Sequence, residues 1–350
     1  MIFITHKHIF LSIAATLVFG SLAVLLTLGL PLGIDFTGGS LTETSYEERP
    51  AKAEREQALN DIGRTNYSLR EATSEDGAPS YVLRTRDLTE DERIAVEATM
   101  TGLGVGGELE RFTSVGPVIG QELRDKAVWA IGGVVLIIIL YVAYAFRGIS
   151  KIGTANVQSW MYGAITIAAL VHDVIVPTAA FALLGYFTGA EADVLFVMAL
   201  LAVLGYSVND TIVVFDRVRE NLKLRQEELE MLARGRSQAK KEAKAALEQV
   251  TFAEIVGQSV NQTLMRSINT SITTMLALSA LYVFGGDVTE NFALVLLAGV
   301  LAGTYSSIAL ANPLLVFISE RLPERKLEDE TKQKDANLPP GIPPGSGYPG

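Results

Sequence analysis

The sequence contains no cysteine. Disulfides and thiolate metal centres are therefore excluded, and cysteine usage gives no reading of the redox compartment. Histidine is nearly as scarce: the three residues, His6, His8 and His172, are too few and too scattered for a histidine-rich metal site. Positive charge is in the minority, 29 Lys+Arg against 39 Asp+Glu, and the formal net charge of −10 argues against a general nucleic-acid binder. No Ser-His-Asp or Cys-His set, no HExxH and no nucleotide-binding glycine pattern is present. The chain thus carries no enzyme signature and implies no cofactor or metal. What it has in quantity is apolar residues, 49% of 350 against 19% charged. That balance is too oily for an ordinary soluble protein of this length and points to an integral membrane protein with soluble parts.

Long apolar runs divide the chain. Residues 1–30 comprise a short basic N-terminus and an uncharged run over 9–30, long enough to cross a bilayer. The run exceeds a typical signal-peptide core and no A-x-A-like site follows, so it reads as an uncleaved anchor. Residues 31–126 are polar, with 11 Lys/Arg against 19 Asp/Glu, and contain no spanning segment. Alternation and turn signals predict strands at 40–46, 67–72, 80–86 and 108–114 and helices at 51–62 and 90–103. The order βαββαβ is the ferredoxin-like plan, an α+β domain between the first and second spans. Five further spans follow at 127–146, 160–187, 192–215, 263–284 and 292–318, giving six transmembrane helices in all. Spans two to four thus fall within 127–216 and the last two within 263–320. Between these groups lies a helical connection, 217–262, with a break expected near Gly235, and residues 321–350 read as a disordered tail ending in LPPGIPPGSGYPG.

Lys and Arg in the flanks set the orientation. Lys7, the 147–151 turn, the 217–244 segment and the 321–326 tail all fall on one side, whereas the turns 188–191 and 285–290 contain neither residue. Both termini are therefore expected in the cytoplasm and the small domain outside.

The run that organises the rest is GYSVNDTIVVFDRVREN, 205–221. Asp210 sits in it with about a turn and a half of apolar residues still to come. A carboxylate there costs about 2.5–3.5 kcal/mol to insert, so it is rare unless paired, protonated or functional. Two readings remain open: a helix-packing hydrogen bond, and an ion or proton site. At 1.5 Å per residue Asp210 lies about 27 Å, and Arg266 of the next span about 28 Å, from the outer end. These depths allow an Asp210–Arg266 ion pair, static or switchable, but equally an arginine reaching for the headgroups. His172 and Asp173 stand nearer mid-membrane, Asp173 about 20 Å in. Asn209, Asn269, Thr270, Ser271, Thr273 and Thr274 would glue helices together or line a path, glue being the simpler role.

Several ordered motifs resemble the SecF family of the bacterial Sec protein-export machinery, a SecD/SecF group similar to resistance-nodulation-division transporters. They are GIDFTGGS at 33–40, VGPVIGQELR at 115–124, the His172-Asp173 pair, GYSVNDTIVVFDRVREN at 205–221, NQTLMRSINTSITT at 261–274 and FGG at 284–286. Together they cover nearly the whole chain to about residue 320. The resemblance implies a subunit of the bacterial cytoplasmic (inner) membrane that pairs with SecD. Its further partners would be the SecYEG channel, SecA, the translocating preprotein and membrane lipid, with no nucleic acid. It also implies that proton-motive force drives late translocation of the preprotein, with Asp210 the essential intramembrane acid and Arg266 its basic counterpart. Asp173 and His172 would be further carriers, and Asn209 and Thr270 supporting polar groups. The rivals are a scaffold for SecD and SecYEG without ion coupling, and half of a small-molecule exporter. A separate external domain of about 95 residues is small for the latter.

Overall fold

The computed structural model describes residues 2–74, 77–147, 159–234 and 237–321. The expected break near Gly235 and the tail beyond Arg321 lie outside the described residues, as do Glu75 and Asp76. A short helix α1 (Ile2–Thr5) leads into α2 (Lys7–Leu28), whose 22 residues span about 33 Å. Gly29, at φ 71°, ends α2 and turns the chain into a four-residue helix α3 (Ile34–Thr37).

The polar segment folds as expected of a ferredoxin-like domain. Strands β1 (Gly39–Ser45), β2 (Tyr67–Thr73), β3 (Pro79–Thr85) and β4 (Glu108–Val115) form an antiparallel sheet in the order β2-β3-β1-β4. Helices α4 (Lys52–Asp61) and α5 (Glu90–Gly102) cover one face. Their core is Tyr46, Leu59, Leu69, Tyr81, Leu83, Val96 and Met100. Arg55 is wholly buried in it: its two terminal nitrogens donate to the carbonyls of Thr99 at 2.5 Å and Leu103 at 2.8 Å and the guanidinium lies over the Tyr46 ring, while Nε finds no acceptor among the described residues. A cation on the last carbonyls of α5 is favoured by their partial negative charge.

The membrane part consists of α2 with α6 (Pro117–Ala145), α7 (Ser159–Thr188), α8 (Val194–Ala233), α10 (Phe252–Phe284) and α11 (Asp287–Tyr305). The last of these continues through a π-helical turn, Ser306–Ala311, into α12 (Asn312–Ser319). Among the described residues six helical segments are thus long and apolar enough to cross a bilayer. Helices α7, α8 and α11 form the centre, whereas α2 and α6 turn Phe19, Leu26, Trp129 and Ile137 outward. Such outward apolar faces are what a bilayer requires of its outermost helices.

The connection after the fourth span begins as a continuation of α8. Hydropathy falls at Phe215, but the helix runs on for 18 residues to Ala233, because no glycine or proline interrupts it. A separate helix α9 (Gln238–Glu248) packs back along it, held by Arg225, which donates to the carbonyls of Leu247 and Glu248.

Candidate functional site: two carboxylates between the central helices

Two glycines on α11 bring it against α8. A Cβ added at Gly299 would lie 2.1 Å from Cγ2 of Val203, and one at Gly303 would lie 3.1 Å from Cβ of Ser207. This G-x-x-x-G spacing lets two helix backbones approach closely, the usual way to gain packing where lipid removes the hydrophobic drive. One turn further along, α8 presents Asp210 and α11 enters its π turn.

Asp173 on α7 is completely buried, as is its neighbour His172. Its carboxylate accepts from Ser207 of α8, from Ser306 Oγ of the π turn at 2.6 Å, and faces His172 Nδ1 at 2.8 Å. The imidazole stacks on Tyr305, whose hydroxyl donates to the Phe10 carbonyl of α2. Among the described residues His172 Nε2 has no hydrogen-bond partner. Asp210 is half-buried and accepts from Ser267 Oγ of α10 and Ser307 Oγ of the π turn, both at 2.5 Å. Among the described residues neither carboxylate has a lysine or arginine nitrogen within 4.0 Å. Hydroxyls and one imidazole are their partners. One turn toward the α+β domain, Tyr206 donates to Ser271 Oγ at 3.1 Å, and Ser271 lies 2.6 Å from Thr304 Oγ1. A layer of hydroxyls from α8, α10 and α11 thus stands above Asp210.

The structure brings Asp173, Asp210 and His172 together with their serine partners, keeps Ser271 in the layer beside them, and turns Arg266, Asn209, Asn269 and Thr270 outward. The anticipated Asp210–Arg266 pair is not made. Successive residues on a helix diverge by about 100°, so when Ser267 faces Asp210 its neighbour Arg266 is turned outward. Asn209 is exposed beside Asp210 for the same reason, and Asn269 and Thr270 share the outward face of α10 with Arg266. Thr270 donates to the Arg266 carbonyl, and Thr273 to those of Asn269 and Thr270. Local bonding of this kind satisfies a hydroxyl within its own helix. Four partners were not anticipated from sequence: Ser207, Ser267, Ser306 and Ser307. Their signal was small hydroxyl side chains inside apolar spans.

The site is tied to the α+β domain at the N-terminal end of α8. The Asp35 carboxylate accepts from Val194 N at 3.1 Å, while Asp193 accepts from Phe196 N at 2.8 Å, so two acids cap that helix. Gly33 N donates to the Ala192 carbonyl and Ala192 N to that of Pro31. The uncovered face of the sheet adds Arg84, 2.9 Å from Glu191, and Arg70, which donates to the Gly189 carbonyl. Gly38 and Gly39 have φ values of 72° and 126°, and a Cβ on them would meet Pro117 at 2.8 Å and the Thr85 carbonyl at 2.5 Å. The glycine pair is a joint between the first span, the sheet and α6.

Fold and site together define a multi-pass membrane protein with a small α+β domain between its first and second spans and two acids, one buried and one half-buried, among its central helices. Residues 95–321 match the family described as protein export membrane protein SecD/SecF, C-terminal, and residues 23–48 match the SecD/SecF GG motif. The chain is 34% identical to the protein translocase subunit SecF of Anaerolinea thermophila, with 89% of this chain and 91% of that protein covered. It is 35% identical to SecF of Pseudomonas aeruginosa over 84% of this chain and 83% of the relative. The crystal structure of SecDF from Thermus thermophilus, a translocon-associated membrane protein, superposes with a TM-score of 0.73 at 29% identity. That match takes in 92% of this chain but 39% of the longer SecDF chain. The chain belongs to the SecD/SecF family.

Proposed function

We propose that this chain is the SecF-type subunit of a protein translocase, assisting Sec-dependent export from the cytoplasmic membrane by coupling an inward proton gradient to late movement of the preprotein. The observation that carries the coupling is Asp210, an intramembrane carboxylate held by two serine hydroxyls on a helix whose far end is capped from the external domain. A SecD-type subunit is the partner, in keeping with the single-chain SecDF of Thermus thermophilus, to which this chain is 34% identical over 38% of its length. That subunit covers the outward face bearing Asn209, Arg266, Asn269 and Thr270, polar groups that are costly against lipid. The SecYEG channel, SecA and the preprotein are the further partners, and both termini are cytoplasmic, in line with the Lys and Arg distribution.

In this reading a proton entering from the domain side neutralises Asp210 and releases Ser267. A turn of α10 by about 100° then exchanges Ser267 for Arg266 beside the site, and the capped end of α8 passes the movement to the external domain. The membrane potential contributes about 2.3 kcal/mol per charge per 100 mV. The test is export of a secretory substrate into inverted vesicles carrying Asp210→Asn with the partner subunit, with and without a gradient, after assembly is verified. Loss of the gradient-dependent part is the expected result. Unchanged export from an assembled complex would refute the coupling and leave a scaffold.

A further inference from the structure

The two carboxylates sit on different helices, yet consecutive residues serve them. Ser306 donates to Asp173 and Ser307 donates to Asp210, from Cα atoms about 3.8 Å apart. This is made possible by the π turn that begins at Ser306. Such turns are rare insertions in α-helices and recur at functional sites. Here the turn is pinned by Asn312, whose buried side chain donates to the Ser307 carbonyl at 2.6 Å.

Each serine also has a second acceptor in reach. Ser306 Oγ lies 3.1 Å from the Gly303 carbonyl, and Ser307 Oγ lies 3.1 Å from that of Thr304. A hydroxyl has one proton to donate and two lone pairs to accept with. While Asp210 is ionised, Ser307 donates to it. When Asp210 gains a proton, the new O–H donates to Ser307 Oγ and the serine proton swings to the Thr304 carbonyl. Every donor keeps an acceptor in both states. Ser306 has the same two options beside Asp173, and rotation of one serine changes the backbone environment of the next. On the far side of Asp173, His172 Nε2 is buried and unpartnered. With Nδ1–H donating to Asp173, that nitrogen is a free acceptor.

We propose that Asp173 and Asp210 form one two-carboxylate proton site, with Ser306 and Ser307 as the positioning residues that couple their protonation. The proposal rests on the reading of Asp210 as an ion-coupling acid. The groups facing Asp173 are His172, Ser207 and Ser306, with Tyr305 over the imidazole; those facing Asp210 are Ser267 and Ser307. Among the described residues hydroxyl donors and one imidazole are the partners of the two carboxylates, and the adjacent serines join their hydrogen-bond sets.

The test is infrared titration of the carboxyl C=O bands of the full chain with its partner subunit in lipid nanodiscs, from about pH 4 to about pH 9, which spans the carboxyl and imidazole ranges. Asp210→Asn is expected to move the titration of Asp173 by about one pH unit or more, and Asp173→Asn to move that of Asp210 likewise, a tenfold change in proton affinity. The Ser306→Ala, Ser307→Ala double variant is expected to abolish that mutual shift, and the Ser306→Thr, Ser307→Thr variant to retain it. Independent titrations in the two Asn variants would overturn the proposal without recourse to the serine variants. So would a mutual shift that survives in a folded double-alanine protein, or carboxyl bands that do not titrate. Export with Asp210→Asn is read separately: coupled titration with gradient-driven export intact would keep the site and refute its role in export.

Discussion

Replacing Gly299 by alanine adds one methyl group where α8 and α11 come closest. The new Cβ would stand 2.1 Å from Cγ2, 2.8 Å from Cγ1 and 3.0 Å from Cβ of Val203, against 3.4–4 Å for ordinary contact. Rotating Val203 does not solve this. Its χ1 is restricted in a helix, and its Cβ, which no rotation moves, is already too near. The two helices must separate by several tenths of an ångström. Overpacking of this kind costs about 1–3 kcal/mol, against which the better helix propensity of alanine returns about 1 kcal/mol. The separation also stretches the serine bonds to Asp173 and Asp210, and a buried acceptor that loses its donor costs about 1–3 kcal/mol. The net expectation is a loss of about 2 kcal/mol, together with impaired gradient-dependent export. Gly205→Ala on the partner helix is the control, because nothing lies within 4 Å of its added Cβ. Gly303→Ala, at 3.1 Å from Ser207 Cβ, should fall between the two. Thermal unfolding of the purified complex ranks the three. A Gly299→Ala protein as stable as Gly205→Ala would show that α8 and α11 do not pack through this contact.

Two further predictions concern the external domain and its joint. Asp35→Ala removes the acceptor for Val194 N and should weaken the start of α8 by about 0.5–2 kcal/mol, raising amide hydrogen exchange at residues 194–196, whereas Asp35→Asn should largely preserve it; unchanged exchange in the alanine variant would refute the cross-element cap. Glu92 is held down to about 2 by hydrogen bonds from Arg86, the Thr89 backbone and Arg64. A depressed carboxyl contributes stability that is complete above its unfolded value of about 4.3 and is lost as pH falls towards 2. Proteolytic resistance of the domain in the membrane-bound protein should therefore decline below about pH 4.3, and Glu92→Gln should flatten that decline.

The six spans and the plan of the external domain were legible because each depends on composition along the chain: about twenty apolar residues per span, and alternation between turn signals. The sheet already shows where this reading stops. Ser40, Thr42 and Thr44 of β1 face the helices and are at most 2% exposed, although a hydropathy pattern assigns such residues to solvent. In the membrane the limit is sharper. A ruler of 1.5 Å per residue gives depth alone, and on depth Asp210 and Arg266 match. Contact also requires the angle about the helix axis, and one residue is worth about 100° of it, enough to exchange Arg266 for Ser267. Depth could not distinguish the two; a comparison of helix faces could. Along α11 the small residues Gly299, Gly303 and Ser306-Ser307 recur at intervals of three and four, and along α8 Val203, Ser207 and Asp210 do the same. Two stripes of one helical period, the first made of residues that permit close approach and the second ending in Asp210, fit each other at one register. That register sets Gly299 on Val203, Gly303 on Ser207 and Ser307 on Asp210. Only the π turn, which places both serines rather than one against carboxylates, leaves no mark in the periodicity.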